Sequence, residues 1–285
     1  MLQLFLNPSG RLVAIMYKAL GLVALLLVCS VRAEEVIRGP DEPRVIGDIV
    51  VDDTGRNADP CTSKSCKWPK SSDGRVYVPY IIDNIFSSRE VQVIQRGLDS
   101  ISAVSCIRFT PRSNQGDYVH IKSLKGCYSS VGRVGKGQTV SLDRNGCIYH
   151  NTVQHELLHT LGFHHEQARS DRDNHIRVAW ENIVENMKHN FNKINTLNQG
   201  TPYDYNSVMQ YHRTAFSRNG QPTMIPIPNS NVAFGQATQM SNNDILRLQR
   251  LYQCFRGPNE PRVVGDIAVD DTGRNADPCT AEGCK

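Results

Sequence analysis

The chain has 285 residues, a net charge of +4 and nine cysteines. This small positive charge does not indicate a nucleic-acid partner, which a strongly basic domain would. No apolar run in residues 34–285 approaches the roughly 20 residues that a membrane-spanning helix needs, so we expect no membrane span there.

The first 33 residues have the pattern of a secretory signal peptide. An apolar run from Ala19 to Val28 follows Lys18, and Ala33 ends a Val-Arg-Ala cleavage pattern. Met16 is an alternative start, because a leader that begins there has a short basic segment before its apolar run. We therefore expect a secreted, extracellular protein, and storage in secretory granules is one route to its release.

Residues 34–56 are acidic, and the domain that follows is basic. The segment 34–56 contains seven acidic and three basic residues, whereas 57–255 contains 15 acidic and 22 basic residues. An acidic segment before a basic domain is typical of a propeptide. We therefore predict a propeptide at 34–56 and one domain at 57–255, which is long enough to bury a core.

Two segments of this domain have helical periodicity. Ser87 to Glu90 has the capping-box pattern of a helix start. The apolar face that follows contains Val91, Ile94, Leu98 and Ile101. A last helix begins at Ser241 to Asp244, and its apolar face contains Ile245, Leu248 and Leu251.

The strands are predicted from β-branched and aromatic residues, at Val76–Ile82, Tyr118–Ile121 and Thr139–Leu142. Residues 190–240 are rich in Asn, Gly and Pro, which indicates irregular structure. We therefore predict an α+β fold. Its N-terminal half contains a twisted sheet and two helices, and its loop-rich C-terminal half ends in a helix.

The run HELLHTLGFHHE has the spacing of a metal site on a helix. Residues four apart lie on the same helical face, so His155 and His159 can bind one metal ion while Glu156 projects beside it. A His-Glu-x-x-His pattern also occurs by chance on ordinary amphipathic helices. The motif by itself therefore leaves a structural helix as an alternative.

Two later residues favour the metal site. A glycine can end the helix in a left-handed conformation, which Gly162 is placed to do, and His165 follows that turn. Three neutral imidazoles leave a coordination position open for water, as in catalytic zinc sites. The sequence thus predicts one Zn²⁺ at His155, His159 and His165, with Glu156 as general base for hydrolysis of a peptide bond.

The cysteines divide into three groups. Cys29 lies in the leader, and Cys279 and Cys284 lie in the C-terminal tail. The domain contains six: Cys61, Cys66, Cys106, Cys127, Cys147 and Cys254. An even number in an exported domain indicates disulfides, but the sequence by itself allows fifteen pairings.

Residues 256–285 repeat residues 38–67 at an offset of 218, with 24 of 30 positions identical. Two copies separated by a whole domain are not a solenoid repeat. One interpretation is that the chain joins the start of a second, related copy, through a tandem duplication or a gene-model error. The other is that the tail is a second inhibitory segment, with Asp266 in the position of Asp48.

Longer motifs resemble the astacin family of metzincins over about residues 57–254. These motifs are HELLHTLGFHHEQARSDRD and YDYNSVMQY. Within that family, NADPCTSKSCKWPKS, VYVPYII and SSREVQVIQRGLDSIS are similar to the six-cysteine hatching enzymes of fish. The resemblance implies a secreted zinc endopeptidase, one metal ion per domain and a monomer.

The resemblance implies further site residues. Met209 would form the Met-turn below the zinc, and Tyr211 would be a zinc ligand that moves to hydrogen-bond the oxyanion. Arg213 would line a substrate pocket that prefers acidic residues. One departure lies beside the site, because many astacins have histidine where this chain has Gln210.

Activation is also implied. Asp48, within Gly47-Asp48-Ile49, would bind the zinc in the latent precursor. Composition by itself favours the alternative that Asp48 is an ordinary solvated side chain, one of seven acidic residues in 34–56. A trypsin-like protease would cleave after Arg56. The new terminal ammonium of Asn57 would then reach Glu166 through water, because a buried carboxylate needs a partner.

The disulfides implied by the resemblance are Cys106–Cys254, Cys127–Cys147 and Cys61–Cys66. The implied substrate is an extracellular protein, with egg-envelope (chorion) glycoprotein digested at hatching as the specific expectation. Two alternatives remain: a six-cysteine astacin with another extracellular substrate, and a catalytically dead protein that binds the same matrix. An intact Glu156 disfavours the second, since binding needs no general base.

Overall fold

The computed structural model describes residues 4–6, 12–14, 44–51, 66–254, 262–264 and 267–269. Its two compact units are Met1–Glu42 and Pro43–Lys285. In the first unit, strand β1 (Leu4–Leu6) pairs antiparallel with β2 (Leu12–Ala14). The predicted apolar leader, Met16 and Cys29 lie outside these described ranges, within which no helix is long and apolar enough to cross a membrane.

The second unit contains a seven-stranded mixed sheet. Its strands are β3 (Arg44–Ile46), β4 (Ile49–Val51), β5 (Val76–Ile82), β6 (Ile107–Pro111), β7 (Tyr118–Lys122), β8 (Cys127–Ser130) and β9 (Gly137–Leu142). The order across the sheet is β3-β4-β8-β9-β7-β5-β6. Strand β8 runs antiparallel to β9 and parallel to β4, so the segment before the domain extends the sheet past β8.

The three predicted strands are present, and β6 and β8 were not predicted. Strand β8 contains only four residues, Cys-Tyr-Ser-Ser, and β6 ends in proline. The β8 segment has no alternating apolar pattern, and β6 alternates apolar and polar residues only over Ile107–Thr110, which is too short to predict a strand. Their pairing with β9 and β5 makes them strands, which is a tertiary effect.

Helix α1 (Ser88–Val104) begins with the predicted capping box, in which Ser87 accepts from the Glu90 backbone and Glu90 accepts from the Ser87 backbone. Its buried face contains Ile94, Gly97, Leu98 and Ile101. Helix α2 (His150–Thr160) packs against it at Gly97, where a Cβ atom would lie 2.3 Å from Val153 Cγ1. Only glycine lets the two helices approach this closely.

The C-terminal half has little regular structure, as predicted. It contains short 3-10 helices, a pair of three-residue strands, β10 (Ile176–Val178) and β11 (Met224–Pro226), and helix α3 (Asn242–Leu251). A second apolar cluster lies here, around the fully buried Phe191. The α+β prediction is therefore confirmed, and the last helix begins with a capping box at Ser241.

Disulfides Cys106–Cys254 and Cys127–Cys147 are formed, and these are two of the pairings that the resemblance implied. Cys61 and the tail cysteines Cys279 and Cys284 lie outside the described residues. In the tail, β12 (Arg262–Val264) and β13 (Ile267–Val269) form a hairpin whose register equals that of β3 and β4 at the offset of 218. Asp266 itself is not among the described residues.

Candidate metal centre

Helix α2 presents the first two histidines from one face. The His159 side chain is fully buried, and His155 is partly buried. The Nδ1 atom of His155 lies 2.8 Å from the Val208 carbonyl oxygen, and that of His159 lies 2.7 Å from the Phe163 carbonyl oxygen. A carbonyl can only accept, so both Nδ1 atoms carry a proton, and the Nε2 atoms are the ones that can bind a metal ion.

The chain reverses after α2 as the sequence predicted. Gly162 has a φ of 105°, in the left-handed region, and its N–H donates to the His159 carbonyl. This turn brings His165 back to the first two histidines. The Nε2 atom of His159 lies 3.1 Å from the Nε2 atoms of both His155 and His165.

This donor set fits zinc. The Nε2 atoms of His155 and His165 both lie 3.1 Å from that of His159, so one cation can contact all three, and imidazole nitrogen is a preferred zinc ligand at about 2.0–2.1 Å. Together with Asp48, the three histidines offer ligand atoms that all lie within 4.8 Å of one another. The surrounding backbone fits as well, because carbonyl oxygens orient two of the rings.

Asp48 reaches the histidines from the turn between β3 and β4. Its Oδ2 atom lies 3.0 Å from Nε2 of both His155 and His165, and its backbone carbonyl accepts from Ser129 N–H at 2.9 Å. The structure therefore brings Asp48 into the same cluster as the three histidines. The strand pairing of β4 with β8 fixes this position.

Gly47 is needed for this approach, a role that its place in the motif Gly47-Asp48-Ile49 did not predict. It has a φ of 64°, and a Cβ atom there would lie 2.7 Å from the Tyr211 hydroxyl and 2.8 Å from Asn190 Oδ1. The left-handed glycine thus lets the chain pass close to the site. The adjacent Gly-Asp pair in the sequence was the available signal, and nothing in the sequence pointed to Asn190.

Burial and the carboxylate of Asp48 dominate the electrostatics. Burial lowers the pKa of His159 well below its usual value and raises the pKa of Glu156 well above its own. Burial also lowers the pKa of His155, but the hydrogen bond and charge of Asp48 outweigh it and raise that pKa to about 9. Burial raises the pKa of Asp48 too, and His165 and His155 together lower it well below the usual range.

Glu156 and Tyr211 lie beside this cluster. Glu156 is 1% exposed, and within the described part of the chain its Oε2 atom has no hydrogen-bond partner. The Tyr211 hydroxyl donates to Asp48 Oδ1 at 3.2 Å. Burial, followed by the charge of Asp48, raises the Tyr211 pKa, so the hydroxyl keeps its proton and remains a donor.

Met209 is buried in the main apolar core, two residues before Tyr211. Its carbonyl oxygen accepts from the Glu166 N–H at 3.0 Å, which ties this turn to the segment that carries His165. Gln167, which the sequence did not single out, accepts from the Tyr211 N–H through Oε1 at 3.1 Å. The turn and the third histidine are therefore held together by these hydrogen bonds.

Glu166 already has a cationic partner in this structure. The guanidinium of Arg247 binds its carboxylate in a bidentate pair, with distances of 2.5 and 3.0 Å. The Asp204 N–H also donates to it at 2.6 Å. Burial raises the pKa of Glu166, and Arg247 opposes that shift. The physical reason for a second cation at this carboxylate is therefore weaker, and Asn57 lies outside the described residues.

Arg213 and Gln210 make their hydrogen bonds to other residues of the C-terminal half. The Arg213 guanidinium donates to the carbonyls of Ser230 and Val232 and lies 4.9 Å from the centre of the Phe234 ring. Gln210 is buried, and its Oε1 accepts from the Tyr203 hydroxyl. The departure at Gln210 therefore affects packing in the C-terminal half.

Comparison with known proteins agrees with this site. The model of the astacin peptidase family matches residues 61–253. The low choriolytic enzyme of Oryzias latipes is 48% identical over 73% of this chain and 77% of its own length. The high choriolytic enzyme 1 of the same fish is 47% identical over 75% of this chain and 79% of its own.

A solved structure is similar as well. The high choriolytic enzyme 1 of Oryzias latipes, described as a hatching enzyme zinc-protease, superposes with a TM-score of 0.67 at 47% identity. The match covers 68% of this chain and 98% of that one. The fold and the histidine cluster thus define a zinc-dependent metalloendopeptidase. The chain belongs to the astacin family.

Proposed function

We propose that this enzyme is exported as a latent precursor and, after its propeptide is removed, hydrolyses extracellular protein, with egg-envelope glycoprotein as its substrate. The observation that carries the proposal is the convergence of three Nε2 atoms beside the buried carboxylate of Glu156. Similarity to two choriolytic enzymes supports the choice of substrate.

The chemistry follows from the side chains around the histidines. A bound zinc ion would supply a Lewis acid that acidifies water and polarises the scissile carbonyl. Glu156 takes the proton as water attacks the carbonyl carbon, and delivers it to the amine when the C–N bond breaks. Tyr211, which donates to Asp48 in the precursor, is placed to donate to the oxyanion once Asp48 has left.

The test of catalysis uses protein cleaved at Arg56 by trypsin and a peptide library. Glu156→Ala should abolish hydrolysis while the fold is retained, as should a zinc chelator. Glu185→Ala is the matched control, because that carboxylate is 84% exposed. Binding to egg-envelope matrix without hydrolysis by the verified mature wild type would instead support the catalytically dead binding protein.

Latency is proposed to depend on Asp48. Its carboxylate lies within 3.0 Å of two histidines, and β4 runs parallel to the strand at the edge of the domain's own sheet. Asp48→Asn should give an uncleaved chain that already hydrolyses peptides. Asp53→Asn, which removes an equal charge from the same segment, should stay latent. Equal latency of both variants would contradict this role.

Substrate preference provides a separate test of Arg213. If its charge selects acidic residues after the scissile bond, Arg213→Gln should flatten that preference in the same library. An unchanged preference would leave Arg213 as a residue that holds the loop at 230–234 through its two carbonyl contacts.

The tail is tested by truncation. If residues 256–285 inhibit the enzyme, a mature chain that ends at Cys254 should be more active than the mature full-length chain. Equal activity would favour the other interpretation, in which the tail is the beginning of a second copy. The shared hairpin register motivates the comparison, because the two segments form the same local structure.

A further inference from the structure

We propose that helix α3 positions two of the three histidines, through Asp244 and Arg247. The two are His155 and His165. The inference rests on the proposed function only in that these histidines bind zinc. The side chains of Asp244 and Arg247 lie one helical turn apart and are both buried, although they belong to the most polar residue types. Neither contacts a histidine directly, so each acts through an intermediate residue.

Asp244 acts through Val208. Its Oδ2 atom accepts from the Val208 N–H at 2.9 Å, and its Oδ1 atom accepts from the Ser207 hydroxyl at 2.6 Å. The carbonyl oxygen of the same Val208 lies 2.8 Å from His155 Nδ1. One residue therefore connects the helix to the first histidine, and a shift of Val208 would rotate that ring.

Arg247 acts through Glu166, the residue directly after the third histidine. Its guanidinium binds the Glu166 carboxylate at two points, and its Nε donates to the Thr201 hydroxyl at 2.6 Å. The Glu166 N–H meanwhile donates to the Met209 carbonyl. His165 is thus followed by a residue that is fixed by both side chain and backbone.

Helix α3 is itself fixed at its far end. Cys254 is bonded to Cys106, and Lys70 Nζ donates to the Gln253 carbonyl at 2.6 Å. A rigid support is what a metal site needs, because outer partners that orient ligands commonly change metal affinity 10–100-fold when removed. A purely structural pair would affect stability alone.

The test compares full-length chains carrying Asp244→Asn or Arg247→Lys, with Asn242→Ala as an exposed control on the same helix. Both substitutions keep the side-chain size close, and Arg247→Lys also keeps the charge. Zinc affinity is measured by competition with a chelator, and ligand geometry by the visible spectrum of cobalt-substituted protein. Circular dichroism and thermal unfolding report whether the fold is retained.

We expect roughly 10-fold or greater weakening of zinc affinity and an altered cobalt spectrum in both variants, with Asn242→Ala unchanged. A lower unfolding temperature with zinc affinity and cobalt spectrum equal to wild type would overturn the proposal. His155→Ala separates this outcome from failure of the proposed function. If zinc affinity is unchanged by that substitution, the histidines are not the metal site.

Discussion

The two halves of the domain, 68–161 and 162–254, bury their polar backbone groups in different ways. In the first half, the sheet and two helices pair the backbone with itself, and the buried side chains are mainly apolar. In the second half, regular pairing is sparse. Six acidic or basic side chains are buried there: Glu166, Arg169, Arg172, Asp204, Asp244 and Arg247. Among the described residues of the first half, Glu156 is the one buried acidic or basic side chain.

The arginines of the second half replace a hydrogen-bond ladder. Arg169 donates to the carbonyls of Thr201 and Pro202, and Arg172 donates to those of Gln167 and Phe191. A buried carbonyl without a partner is costly, so a loop-rich segment can be buried only if side chains satisfy it. In this way, side-chain hydrogen bonds fix the irregular half as backbone hydrogen bonds fix the sheet.

The largest loss of stability is expected on removal of the disulfide that joins the two halves. A double alanine substitution would remove the Cys106–Cys254 disulfide, whose cysteines are 148 residues apart in sequence. The chain-entropy model puts the resulting loss in the free energy of unfolding at about 5 kcal/mol. Urea unfolding measures the loss. The control is removal of Cys127–Cys147, whose separation of 20 gives about 3 kcal/mol. Equal losses would mean that joining the halves adds nothing beyond local constraint.

A smaller effect is expected in the apolar core of the first half. Leu98 is fully buried in α1, and Leu98→Ala should lower the free energy of unfolding by about 3 kcal/mol through lost burial and a cavity. Val134, which is 60% exposed, is the control, and its substitution by alanine should change stability by less than about 0.5 kcal/mol. Similar results for both would contradict an apolar basis for this half.

In the second half, the corresponding test removes a buried polar side chain. Arg172→Leu should cost about 2 kcal/mol, because the carbonyls of Gln167 and Phe191 lose their donor while remaining buried. Arg177→Leu removes a guanidinium whose side chain is 57% exposed and should change little. Thermal unfolding of the pair decides whether carbonyl satisfaction stabilises this half, since apolar burial alone would make Arg172→Leu stabilising.

The smallest effect concerns a surface contact of the first half. The hydrogen bond from Arg144, followed by the capping contacts with Ser87, lowers the pKa of Glu90 to about 2. The unfolded value is about 4.3, so this contribution to stability is complete above that pH and is lost as the pH falls towards 2. Glu90→Gln should therefore remove a small acid-dependent part of the unfolding curve, and identical pH profiles would contradict the contact.

Much of the fold was predictable because its signals are local. The capping box and apolar spacing of α1 and α3, and the full extent of Val76–Ile82, were read from the sequence and confirmed. Strands β6 and β8 were not, because they are short and pair only when the rest of the sheet is present. Propensity is weakest for such segments.

The sequence by itself determined the family and the zinc chemistry, because the spacing of His155, Glu156 and His159 on a helix and the glycine turn before His165 are local constraints on the backbone. Only the tertiary structure decided what surrounds them. It brings Asp48 onto the histidines through a strand pairing, gives Glu166 a partner in Arg247, and directs Gln210 towards Tyr203. These contacts join residues 7 to 117 positions apart and depend on packing, which no local pattern encodes.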